Sequence, residues 1–162
     1  MREQGQGQVT KKPVSILIVD SDDKERYDLV AQLTQVSSTC VFHHAATGKT
    51  ALEFLASHCV DCVLLELDLK DMSGFEVLNS LVPCPSKPRI AVVVRTRLTH
   101  PSLLTVARQN GAQAAFVRNG TPPEMVHAAI AEAIAAVPGP EKAPVLRSVR
   151  FGRKSLNAMT SP

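Results

Sequence analysis

Four sets of residues in this chain have types and spacings that could do chemistry. Glu66 closes the apolar run Val63-Leu64-Leu65, and Asp68 follows it before Gly74. A carboxylate at the end of a central strand opens on the cleft where open α/β sheets hold ligands. There it is either a reacting acid or a solvated cleft residue paired with a base. Cys59-Val60-Asp61-Cys62 has the spacing of redox and zinc sites. It runs into an apolar segment, however, and no second CxxC accompanies it, so burial as a small apolar residue is the expectation. Gly48-Lys49-Thr50 ends like a phosphate loop but lacks the spaced first glycine, and reads as a helix start. His43 and His44 are adjacent in a short strand-like segment, so they point to opposite faces and cannot share a metal ion.

The elements that must position these residues follow from apolar patterning. Predominantly apolar segments at 15–19, 63–67, 90–94 and 114–117 have the pattern of strands buried on both faces. Cys40-Val41-Phe42 adds a short fifth strand. Between them lie helical segments at 23–34, with Tyr27, Leu29, Val30 and Leu33 near helical spacing, and at 48–56, 74–81 and 101–110, the last closed by Gly111. Thr121-Pro122-Pro123-Glu124 reads as a capping box with proline at the first helical position, opening a helix that stops before Pro138. Five βα units argue an α/β fold, a parallel sheet covered on both faces in a three-layer sandwich. The flavodoxin-like strand order 2-1-3-4-5 is the one expected.

The chain has 162 residues, enough for one domain, and 44% of them are hydrophobic with almost no aromatics, so the core must be aliphatic. The net charge of +3 hides an asymmetry. Residues 14–138 carry ten basic and thirteen acidic side chains, whereas residues 139–162 carry five basic and one acidic. The reading is therefore a flexible segment over 1–13, a domain over 14–138, and a flexible basic tail over 139–162. A mildly acidic domain does not predict a nucleic-acid surface, and only the tail could touch phosphates. No apolar run approaches the roughly 18 residues of a membrane span. The first residues lack the apolar stretch of a secretory signal. A cytoplasmic location, no membrane partner and reduced cysteines are expected.

The segment Val63 to Gly74 resembles the phosphorylation loop of response-regulator receivers, the CheY-like domains, and the resemblance extends over about 14–137. In that family an apolar strand ends in the aspartate that accepts a phosphoryl group, with a glycine eight positions on. Here that position is Glu66. The resemblance implies an acidic pair after the first strand, matched by Asp20 and Ser21, and a backbone carbonyl two residues past the acceptor, matched by Asp68. It implies a switch Thr or Ser at Thr96 and a lysine at Arg118. The second acid, the acceptor and the lysine all depart from the pattern. One extra methylene displaces the carboxylate by about one bond length, which in-line chemistry tolerates badly. Asp20 and Glu66 still offer two carboxylates for a weak Mg²⁺ site, and Arg118 is placed to fork onto Glu66.

The first functional expectation is a stand-alone atypical receiver, a pseudo-receiver without catalysis or a required cofactor. It would act in phosphorelay signalling through protein contacts, with a histidine kinase or a regulated effector as partner. The alternatives are a phosphorylatable, Mg²⁺-dependent response regulator and a nucleic-acid binder using the basic tail. The last helix should turn Val126, Ile130, Ala133 and Val137 inward. That leaves Glu124, His127, Ala128, Ala131 and Ala135 as a smooth outer face for a partner or a second copy.

Overall fold

A computed structural model describes residues 11–138. Five strands, β1 (Val14–Val19), β2 (Cys40–Ala45), β3 (Cys62–Leu65), β4 (Ala91–Thr96) and β5 (Ala114–Val117), alternate with five helices, α1 (Asp23–Val36), α2 (Gly48–Ser57), α3 (Gly74–Leu81), α4 (Pro101–Gln109) and α5 (Pro123–Ala136). The strands form one parallel sheet in the order β2-β1-β3-β4-β5, the order expected. The calls on residues 1–10 and 139–162, the basic tail among them, lie outside the described residues.

The pleat sends alternate side chains to opposite faces, and each face has its own aliphatic core. Leu17, Val19, Val63, Leu65, Val92 and Val94 pack toward α2, α3 and α4. Ile16, Ile18, Cys62, Leu64, Ala91 and Val93 pack toward α1 and α5, where Leu29, Leu33, Val126, Ile130, Ala133 and Val137 meet them. Fully burying a Val, Leu or Ile side chain contributes about 1.5–3 kcal/mol, so the two cores account for why both faces must be covered.

Local signals set the helix ends. Asp22 caps α1, Thr47 and Ser73 open α2 and α3 with capping boxes, and Pro101 begins α4. After α4 the chain turns at Gly111, whose φ of +102° belongs to the left-handed region open to glycine. Three expectations are corrected. No side-chain cap opens α5: Pro122 holds the cap position and the Thr121 hydroxyl donates back to the Val117 carbonyl at 2.7 Å. Tyr27 lies outside on α1, 64% exposed, while Arg26 is buried in its place. The third strand ends at Leu65 rather than Leu67: the Glu66 N–H still donates to the Val19 carbonyl at 2.9 Å, and the chain bends at Leu67.

Candidate functional site

The same pleat that divides the cores builds the site. Following the alternation to the ends of the strands and just beyond, Ile18 leads to Asp20, Leu64 to Glu66, Val93 to Arg95 and Phe116 to Arg118. Four charged residues thus gather at the carboxyl ends of β1, β3, β4 and β5, on the side covered by α1 and α5. Gly74 lets the loop after β3 fold back upon itself: a Cβ there would lie 2.6 Å from Leu67 Cα and closer still to the Glu66 carbonyl oxygen. Its N–H donates to the Leu67 carbonyl at 2.8 Å. Any larger residue would push Glu66 out of place.

Glu66 is 2% exposed and its carboxylate is surrounded by donors. Oε1 accepts from the Thr96 hydroxyl and from the Asp68 N–H at 3.0 Å. Oε2 accepts from the Arg97 N–H at 2.9 Å and from Arg118 Nη2 at 2.8 Å. An ionised carboxylate offers about four acceptor positions, and all are engaged. Thr96 is wholly buried at the end of β4, and its Oγ1 also accepts from the Leu98 N–H at 3.2 Å.

Arg118 reaches Asp20 Oδ2 and Glu66 Oε2 with the same nitrogen, Nη2, and so bridges two carboxylates. The expected two-pronged fork onto Glu66 is not formed. The prong is shared because Asp20 stands beside Glu66 and competes for it. Behind this bridge Glu25 Oε2 lies 3.6 Å from both Arg118 Nε and Arg95 Nη1. The Arg118 and Arg95 Nε atoms are buried and have no hydrogen-bond partner. Burial pushes the Asp20 carboxyl above its ordinary value, although the Asp22 N–H and the Arg118 charge both pull it down. Burial, then the Arg118 charge, lower Arg95 against the pull of Glu25.

The response regulator receiver domain model matches residues 16–130, most of the chain. The chain belongs to this family. A receiver is the signalling domain of two-component systems, where it interacts with histidine kinases and effectors. Relatives include a Vibrio cholerae protein named as a probable cyclic di-GMP phosphodiesterase, 35% identical over 54% of this chain and 19% of its own length. The nitrate/nitrite response regulator NarL of Escherichia coli is 25% identical over 73% of this chain and 54% of its own. This receiver chain thus spans about half or less of the curated relatives it matches. Among solved structures, the signal receiver domain of a Mycobacterium tuberculosis NarL superposes with a TM-score of 0.66 at 22% identity, covering 78% of this chain and 99% of that one. A CheY-like receiver from Methanospirillum hungatei gives 0.64 at 22%, covering 76% and 94%.

Within this receiver the expected site residues Asp20, Ser21, Glu66, Asp68, Thr96 and Arg118 come together, though in different bonds from those expected. Ser21 is more than a helix-start residue. Its hydroxyl donates to the Ala46 carbonyl at 2.9 Å and accepts from the Lys70 N–H at 3.0 Å, tying the loops after β1, β2 and β3 together. Asp68 turns its carboxylate to the Arg97 guanidinium, across the mouth of the cleft. Asp71 accepts from the Gly48 and Lys49 N–H groups at the start of α2, both at 2.9 Å. The Gly48-Lys49-Thr50 start thus serves Asp71. Its carboxyl is held below the ordinary value: burial works against this, and the Lys49 and Gly48 N–H groups outweigh it.

Glu25, Arg95, Arg97 and Asp71 were not foreseen as site residues. The signal for Arg95 was a cation inside an apolar strand. Arg97 reaches Glu66 through its backbone N–H, which no side-chain motif announces. Of the proposed α5 surface, Glu124, Ala128, Ala131 and Ala135 are exposed and His127 half-buried. Cys62 is buried and its thiol pushed up to about 12 by burial, while Cys59 is exposed. His43 faces Phe54 and His44 faces Tyr27, on opposite sides of β2.

Proposed function

We propose that this receiver signals through protein contacts with its switch held engaged by Glu66, without being phosphorylated at that position. The observation that carries this reading is the shell of four donors on the Glu66 carboxylate. Attack on a phosphoryl group needs a free lone pair aligned with the leaving oxygen. Each Glu66 oxygen already has two donors, and one of them is a buried guanidinium charge. In receivers the hydroxyl at the Thr96 position responds to the phosphoryl group. Here it donates directly to Glu66, so the contact exists with no phosphoryl group to make it. The partners would be a histidine kinase or an effector in the cytoplasm. We assign the contact to the outer face of α5, Glu124, His127, Ala128, Ala131 and Ala135, either to a partner or to a second copy.

A phosphorylatable regulator is the second reading, favoured by the fact that a carboxylate still stands at the acceptor position. Incubation with acetyl phosphate and Mg²⁺ followed by intact mass distinguishes the two. No added phosphoryl mass is expected, and a phosphoryl group mapped to Glu66 would overturn the first reading. Ala131→Glu should abolish partner capture while leaving the fold intact. Unchanged capture would place the contact elsewhere.

A further inference from the structure

We infer that the Arg118 guanidinium is the resident cation of this site, standing between Asp20 and Glu66 where a divalent metal would bind, with Glu25 and Arg95 as the residues that position it. This goes beyond the proposed function, since a receiver engaged by Glu66 could still hold a metal ion.

The side-chain oxygens that the receiver family would offer to Mg²⁺ are already engaged. Mg²⁺ requires near-octahedral oxygen ligation at about 2.1 Å. Asp20 Oδ2 and Glu66 Oε2 both face Arg118 Nη2, and Asp20 Oδ1 accepts from the Asp22 N–H at 2.8 Å. The Ser21 oxygen, where a second acid would stand, already accepts from the Lys70 N–H and gives its proton to Ala46. The Asp68 carboxylate is paired with Arg97, so of Asp68 only the backbone carbonyl is left as a donor. The donor set does not fit a metal ion while Arg118 holds this place.

Charge and burial explain why the arginine stays. The side chain of Arg118 is 10% exposed, beside the carboxylates of Asp20 and Glu66 at 9% and 1%. Two buried carboxylates side by side repel unless a cation lies between them, and a guanidinium is charged at any working pH. Behind it, the Glu25 carboxylate lies 3.6 Å from both Arg118 Nε and Arg95 Nη1, so Glu25 fixes the far side of the guanidinium and Arg95 holds Glu25 from the β4 side. Arg95 thus has a role that its place in an apolar strand leaves unexplained.

The test uses Mn²⁺ as probe, read by the loss of its free electron-paramagnetic signal, on the wild-type chain and on Arg118→Lys, Arg118→Met and Glu25→Gln. The wild type should leave Mn²⁺ free. Arg118→Met should bind one equivalent that Mg²⁺ displaces and that the added change Asp20→Asn abolishes. Arg118→Lys, a point charge on a mobile stem, should bind as well but more weakly, and it carries the test if the Met variant does not fold. Glu25→Gln should shift the Arg118 Nε–H resonance and admit weak binding. Stoichiometric Mn²⁺ on the wild type, lost with Asp20→Asn, would overturn the inference, as would folded Arg118 variants that bind none. An unmoved Nε–H resonance in Glu25→Gln would remove Glu25 from the positioning role. A purely structural arginine would cost stability when replaced and create no metal site. The phosphodonor experiment reads a different quantity, so either reading can fail alone.

Discussion

Glu66 and Asp71 stand five residues apart in one loop, and both carboxylates are engaged, yet they are held in opposite ways. Asp71 is exposed and takes two N–H groups from the first turn of a single helix, α2. It is a cap in all but sequence position, worth what a helix N-terminus offers an anion. Glu66 is buried and takes its donors from its own loop, the end of β4 and Arg118 beyond β5. The first carboxylate fastens a loop to one element. The second makes the ends of separate strands depend on one another, and a signalling domain needs such an element to carry a change from its cleft to its surface.

Replacing Arg118 should separate the two most. Arg118→Ala leaves Asp20 and Glu66 as buried charges with no cation between them, and removing one partner of a buried pair costs about 3–5 kcal/mol. Urea unfolding measures it, and a loss below about 1 kcal/mol would put the Glu66 site on the same footing as an exposed pair. Thr96→Val removes one donor and leaves a buried carboxylate oxygen short of a partner. The expected loss is about 1–3 kcal/mol by the same measurement, with perturbed amide resonances in β3 and β5 as well as β4. For Asp71→Ala the expected loss is about 1 kcal/mol, that of a helix cap, with resonance changes confined to the start of α2 and its own loop. Changes reaching β5 would erase the distinction.

The smallest effect is in pH. Asp71 is held below its ordinary value of 3.8, so its contribution is present above that value and is lost as pH falls beneath it. Asp20 is raised by burial, so the folded state keeps its proton where the unfolded state has released it. Stability from this group therefore falls as pH rises through and above the ordinary range. Unfolding between about pH 7 and pH 3 should show the gap between wild type and Asp71→Ala narrowing toward acid. The margin of wild type over Asp20→Asn should grow instead. Equal signs would mean that the two carboxyls sit in like environments.

Much of this was legible in the sequence, for reasons that differ by residue. The apolar runs around Ile16, Val63 and Val92 could only be strands covered on both faces, so the sheet order followed. Glu66 and Gly74 were fixed by their spacing, and Thr96 by the resemblance to receivers. The shared use of Arg118 by two acids was not legible, because it depends on two strand ends from opposite parts of the chain meeting. Nor was the Ser21 bond to Lys70, whose two partners lie 49 residues apart. The missing cap on α5 was misread because Pro122, which has no side-chain acceptor, takes the cap position, while the Thr121 hydroxyl donates to the Val117 carbonyl.

The four donors around Glu66 also bear on time. A phosphorylated receiver carries its own clock, since the acyl phosphate hydrolyses and the message expires with it. A carboxylate fixed by Thr96, Asp68, Arg97 and Arg118 contains no bond that decays. If the switch is held by Glu66 as proposed, the domain would report its presence rather than its history, and the duration of its message would be set by how fast the chain and its partner are made and removed.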